Sequence, residues 1–162
     1  MPNESLQEQS VQATMLIPLY GRARMSELYP GEAVRIVSEM DMDFSKVENA
    51  FGEYGGVSYL SRARCVDAEV KAFLDKYPNS TVVNIGSGLD TTFSRIDNGT
   101  VLWYNLDLPD AIAYRQTLIP QSERSVDIPK SVFNYGVRKA RKLARHELGS
   151  GFPRVAVPPY AG

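Results

Sequence analysis

Between residues 61 and 77 the apolar side chains Val66, Val70, Phe73, Leu74 and Tyr77 recur at spacings of four, three, one and three. That spacing lays them on one face of a 3.6-residue helix. Ser61 stands where a hydroxyl can cap its start, and Pro78-Asn79 stops it. The pattern then changes. Residues 81–85 (TVVNI) are a short β-branched strand that runs straight into Gly86-Ser87-Gly88. A helix is expected over 90–96, a turn at Asn98-Gly99, and a second strand over 100–106 (TVLWYNL). Pro109 opens a further helix with AIAYRQTL behind it and Pro120 as its stop. Residues 131–134 (SVFN) read as a third strand. Residues 137–148 (VRKARKLARHEL) form a basic helix that ends at Gly149, and the Pro- and Gly-rich stretch 151–162 reads as irregular.

Upstream the pattern is helical. Residues 1–10 are polar and read as frayed. Residues 11–29 are helix around a break, because Pro18 and Gly21 interrupt the apolar positions, so a kink or two short helices is expected. Pro30-Gly31 is a turn, residues 32–40 are a short amphipathic helix, and Gly52, Gly55 and Gly56 suggest a loop over 52–58. Helices first and then alternating strands and helices predict an α/β fold whose parallel sheet begins near residue 81. The organisation follows: an N-terminal helical region over 1–80, an α/β core over 81–134, and a basic helix with an irregular tail over 135–162.

Composition narrows the class. With 43 % hydrophobic and 23 % charged residues the chain is ordinary globular protein, which excludes wholesale disorder. Its 162 residues allow one domain. No run of apolar residues is long enough for a membrane span, and the first residues carry neither a basic region nor an apolar stretch. The single Cys65 makes no internal disulfide, so the expected location is a reducing cytoplasm. Charge is uneven: net −5 over residues 1–60, −1 over 61–135 and +5 over 136–162. In the basic helix Arg138, Lys139, Arg141, Lys142 and Arg145 stand without interleaved aromatics, so a solvated face is preferred to nucleic-acid or membrane contact. His146 is the only histidine, and one histidine with one cysteine makes no metal site. Cys65 reads as a packing residue, and Phe93, Trp103, Tyr104 and Phe133 as core.

The chemistry lies in residues 82–109 (VVNIGSGLDTTFSRIDNGTVLWYNLDLP). A buried strand meets a glycine-rich turn, then a helix, then a second strand that ends in Asp107. Gly86 permits the tight turn, and Gly88 lets a ligand approach the backbone. Asp107 at the carboxyl end of the second strand can accept both hydroxyl hydrogens of a ribose. A nucleoside cofactor at a Rossmann-like switch point is the reading, against a plain strand-to-helix turn. Dinucleotides place a pyrophosphate against the helix start, where this chain has Asp90, and the third glycine position is Thr91. A carboxylate repels a pyrophosphate. S-adenosylmethionine carries no phosphate and offers an ammonium and a sulfonium, so the chemistry favours it over NAD.

The stretch SRARCVDAEVKAFLDKYPNSTVVNIGSGLDTTFSR, with YNLDLPD after it, resembles the leucine carboxyl methyltransferase family, which includes O-methyltransferases of polyketide pathways. MLIPLYGRARMSELYP and MDFSKV are similar to its bacterial branch, so the likeness covers about residues 12–134. The resemblance implies a class I methyltransferase core with N-terminal helices and S-adenosylmethionine as cofactor. It implies that Gly86, Ser87 and Gly88 form the cofactor turn and that Asp107 holds the ribose. It implies that Arg62 pairs with the methionine carboxylate, although the residue alone reads as a solvated arginine at a helix start. Asn134 falls where the family often has an Asp facing the adenine amine. Family members continue further, whereas residues after 135 do not resemble them, so a short or truncated sheet is expected.

The implied reaction is methyl transfer to a carboxyl or hydroxyl oxygen of a small-molecule or protein acceptor. A carboxylate needs no general base and a hydroxyl does; no catalytic residue is assigned, and the acceptor stays open. Two alternatives stand beside this one: a cofactor-binding module without catalysis, and an NAD-type protein. A short parallel sheet whose last strand lies near 131–134 also leaves an edge through which two copies can associate.

Overall fold

In the computed structural model, residues 4–28, 31–51, 55–131 and 155–156 are described. The chain divides into two compact units, Met1–Cys65 with Leu89–Ser94, and Val66–Gly88 with Arg95–Gly162.

The second unit is built on a parallel sheet. The strands are β1 (Thr81–Ile85), β2 (Leu102–Asp107), β3 (Ser125–Pro129) and the short β4 (Val155–Ala156). Their order is β3-β2-β1-β4, and every pairing is parallel. Between β1 and β2 lies α5 (Thr92–Ile96), and between β2 and β3 lies α6 (Pro109–Leu118), which packs on β3 and β2. Successive side chains in a strand point to opposite faces. On one face Val83, Tyr104 and Leu106 form an apolar core with Ile85, Leu102, Val126 and Ile128. The other face carries Val82, Trp103 and Ser125 in one row and Asn84, Asn105 and Asp127 in the next, as the register dictates. Such rows run across a sheet that is covered on both sides, which is why Trp103 and Asn105 are each 1 % exposed.

β1, β2 and α6 stand where the pattern places them. The third strand does not. It is Ser125–Pro129, six residues before the SVFN segment, and Lys130 and Ser131 follow it outside regular structure. Residues 132–134 lie outside the described residues. The tail is also not wholly irregular, since Val155 and Ala156 pair with Thr81 and Val82. Two β-branched or small residues suffice for that pairing because β1 already presents its free ladder groups.

Helix α4 (Gly55–Lys76) shows the expected apolar face, with Val70 and Leu74 buried and Val66, Phe73 and Tyr77 half-buried. It starts six residues earlier than Ser61, which is exposed inside the helix and caps nothing. Gly55 and Gly56 are therefore helix and not loop. The reason is a close approach in the first unit. A Cβ on Gly56 would lie 3.3 Å from Met25 Cγ and 3.7 Å from the Gly21 carbonyl oxygen, so glycine lets the two backbones meet.

The first unit packs α1 (Glu4–Arg24) against α2 (Ala33–Glu39) and α3 (Ser45–Phe51). Helix α1 runs through Pro18 as one helix and not as two. A proline removes one backbone donor; burial of Leu16 and Leu19 on either side of it offsets that loss. Ile36, Ala33 and Leu60 complete this core, and Tyr20 stacks on Phe44 at 4.9 Å between centroids. Asp43 caps α3, accepting hydrogen bonds from the Ser45 amide and hydroxyl, both at 2.9 Å. Among the described residues no helix is long and apolar enough to cross a membrane.

Candidate functional site

At the carboxyl end of β1 the ladder runs one residue beyond the strand, because the Gly86 amide donates to the Leu106 carbonyl at 2.8 Å. The chain then reverses. Gly86 has φ +67° and Gly88 has φ +42°, a region that side chains with a Cβ avoid. Between them Ser87 is buried, and its hydroxyl oxygen has no partner among the described residues. A buried polar atom of this kind calls for an explanation, and a ligand hydrogen bond is one.

Asp107, the last residue of β2, faces the same turn. Its Oδ2 accepts from the Gly88 amide at 2.7 Å and its Oδ1 from the Leu108 amide at 2.8 Å. The second bond serves the start of α6, where Leu108 has no side-chain cap of its own. An ionised carboxylate has about four acceptor sites, so roughly two remain for other donors. Gly86, Ser87, Gly88 and Asp107 thus come together at the carboxyl ends of two neighbouring parallel strands, where α/β folds bind ligands.

Beneath the turn runs a buried polar network. The Trp103 indole N–H donates to Asn105 Oδ1 at 2.8 Å, and Asn105 Nδ2 donates to Asp127 Oδ1 at 3.0 Å. The same Asp127 oxygen accepts from Arg115 Nε at 3.1 Å, and Arg115 Nη1 donates to the Gly88 carbonyl at 2.9 Å. Both partners of this ion pair are almost wholly enclosed, with side chains 4 % and 2 % exposed. Asn105, Arg115 and Asp127 did not stand out in the sequence. The signal was present: TVVNI and LWYNLD each carry Asn at the fourth place, and the register sets Asn84 opposite Asn105 and Asn105 opposite Asp127.

Asp90 does not face outward as a free charge. It caps the start of α5, its Oδ2 accepting from the Thr92 amide at 3.1 Å and its Oδ1 from the Thr92 hydroxyl at 2.9 Å. Further along α5, Arg95 makes a two-pronged ion pair with the buried Asp67 of α4, at 2.6 and 3.0 Å. Past the end of α5, Asp97 is clamped by Arg124, with Arg124 Nη2 to Asp97 Oδ2 at 2.7 Å. That guanidinium holds the Asp97 carboxyl below the usual carboxylate range. Burial pushes the Tyr114 phenol up.

Arg62 lies on α4 within the first unit, at an exposed position. Cys65 is exposed rather than packed, because it falls off the apolar face of α4. Trp103 and Tyr104 are core, and Phe93 is half-buried. Asn134, Phe133, the helix expected over 137–148 and His146 lie outside the described residues. Among the described residues no cluster of His, Cys, Asp and Glu is arranged to hold a metal ion.

Comparison with known proteins gives this geometry a context. Residues 15–149 match the family model "Leucine carboxyl methyltransferase", which extends beyond the segments that carry the resemblance. The tetracenomycin polyketide synthesis O-methyltransferase TcmP of Streptomyces glaucescens is 31 % identical over 126 residues, 74 % of this chain and 46 % of its own length. The chain therefore spans about half the length of that relative. No solved structure matches it. With the match covering most of its length, a short α/β sheet and a glycine turn facing Asp107, the chain belongs to the leucine carboxyl methyltransferase family.

Proposed function

We propose that this chain binds S-adenosylmethionine at the Gly86–Asp107 site and acts as a methyltransferase on a carboxyl or hydroxyl oxygen. The observation that carries the reading is Asp107, fastened to Gly88 by one oxygen and to Leu108 by the other, with acceptor capacity left over. Two ribose hydroxyls fit that capacity. The buried Ser87 hydroxyl, without a partner among the described residues, offers the cofactor a further hydrogen bond. Asp90 supports S-adenosylmethionine over a dinucleotide. Its carboxylate already occupies the first amide of α5 and puts negative charge where a pyrophosphate would sit. The family and the relative named above supply the methyl-transfer part of the reading.

Bound S-adenosylmethionine supplies an electrophilic methyl group on a sulfonium. The residues of this chain hold the ribose through Asp107 and shape the approach through the two positive-φ glycines. Catalysis would rest on positioning more than on proton transfer.

Titration calorimetry with S-adenosylmethionine, its demethylated product and NAD tests the cofactor, and a methyl-transfer screen on carboxylates and phenols tests the reaction. Binding of both adenosyl ligands but not NAD is expected. Binding without transfer would assign the chain to a cofactor-binding module. No binding of either adenosyl ligand at millimolar concentration would overturn the reading.

A further inference from the structure

We infer that Arg115 is a positioning residue for the glycine turn, acting through the Gly88 carbonyl and anchored by Asp127. This rests on the site proposed above.

Gly88 is held by both of its backbone polar groups. Its N–H is bound by Asp107 and its C=O by Arg115, at 2.7 and 2.9 Å. At φ +42° a glycine has no side chain to fix the orientation of its peptide planes, so these two bonds set it. The direction of the N–H in turn decides which acceptor sites of Asp107 face outward. Arg115 can play this part because it is itself fixed. Its guanidinium is planar and presents donors in set directions, with Nε on Asp127 and Nη1 on Gly88. Asp127 is held in its place by Asn105 Nδ2. The chain of contacts thus runs from the middle of the sheet to the ligand-facing turn.

The arrangement exceeds what stability asks for. A buried ion pair is a weak source of stability compared with apolar side chains of the same volume. An apolar residue at 115 would fill the space but leave the Gly88 carbonyl without its partner. A lysine would keep the charge beside Asp127 but lacks the fork that reaches both acceptors.

The test uses the full chain with two variants, Arg115→Lys and the charge-neutral pair Arg115→Met with Asp127→Asn. Two readouts are taken: amide hydrogen exchange at Gly88 by NMR, and affinity for S-adenosylmethionine by calorimetry. Arg124→Lys, an ion-pair arginine away from the turn, is the control. In either folded variant Gly88 exchange should rise about tenfold or more, with the β1 and β2 ladders unchanged, and affinity should fall by about tenfold. The control should leave both readouts as they are. If Gly88 exchange rises selectively while the unaltered chain itself binds no S-adenosylmethionine, the positioning stands and the cofactor reading fails. If Gly88 exchange stays unchanged in a folded variant, or rises together with the whole sheet, Arg115 is only a structural residue and the inference is overturned.

Discussion

Asp107 and Asp110 separate two kinds of carboxylate three positions apart. Asp107 faces the glycine turn from the end of a strand, whereas Asp110 is exposed in the first turn of α6, where a negative charge favours the helix. Replacing Asp107 with alanine removes acceptors for charged hydrogen bonds worth about 1.5–3 kcal/mol each. Calorimetry should show a loss of S-adenosylmethionine affinity of about tenfold or more for Asp107→Ala and little change for Asp110→Ala. Equal losses would mean that the ribose acid has been misassigned. The place of Asp107 was legible in the sequence because an acid at the end of an apolar, aromatic run, at a fixed distance from Gly-x-Gly, is a local pattern. Arg115 and Asp127 were not, because neither has a pattern of its own. A lone arginine in AIAYRQTL reads as a solvated face, and only the packing of α6 on β3 buries it against its partner.

At the scale of elements, legibility followed the density of local signals. β1 and β2 are apolar β-branched or aromatic runs bounded by turns, so their positions could be read directly. β3 is Ser-Val-Asp-Ile-Pro, which alternates but has a carboxylate at its centre and a proline at its end. Its stability as a strand comes from pairing with β2 and from the Arg115 guanidinium and Asn105 amide that meet Asp127. The connections also make predictions. Gly99 has φ +85° with open space around the position of a Cβ. Gly99→Ala should therefore destabilise the protein through backbone strain alone, by about 1–2 kcal/mol, measured by denaturant unfolding. The clamp between Asp97 and Arg124 joins the end of α5 to the turn before β3. Its contribution has a definite sign. The Asp97 pKa is lowered, chiefly by the Arg124 hydrogen bond, so its stabilisation is present above the ordinary carboxylate range and is lost as pH falls through the lowered value. Arg124→Ala should move the Asp97 carboxyl titration upward in NMR and flatten that part of the acid-unfolding curve. Exposure and salt keep the effect small.

For the molecule as a whole, a ligand that binds only the native state stabilises it by mass action. At 100 times its dissociation constant the gain is about 2.7 kcal/mol. In a chain of this size that is a rise in melting temperature of about 5–10 °C. S-adenosylmethionine should produce it and NAD should not, which thermal unfolding monitored by circular dichroism can decide. The α/β class and the parallel order were readable at this scale because helices and strands alternate from residue 81 onward. Continuity of α1 through Pro18 and the entry of α4 at Gly55 were not, because both depend on which surfaces the helices bury. Proline and glycine signal only a local backbone preference, and the close approach of Gly56 to Met25 and Gly21 overrides it.

The row formed by Asn84, Asn105 and Asp127 also bears on how the strands find their alignment. A parallel sheet covered on both faces gains much the same apolar burial in several alignments, so hydrophobicity alone specifies it weakly. Sliding β2 by one residue against its neighbours would turn Asn105 toward the apolar face that holds Val83 and Val126. Asp127 would lose its Asn105 donor, and Asn105 and the Trp103 indole would move together into the apolar side, where each polar group left unpaired costs about 1–3 kcal/mol. The polar row therefore acts as a key with one fitting position, and misaligned chains are penalised before any ligand arrives. Asn105→Leu should remove that discrimination. Doubled amide resonances along β2 would reveal the mixture of alignments, and a single set of resonances would show that other contacts suffice to hold the strand in place.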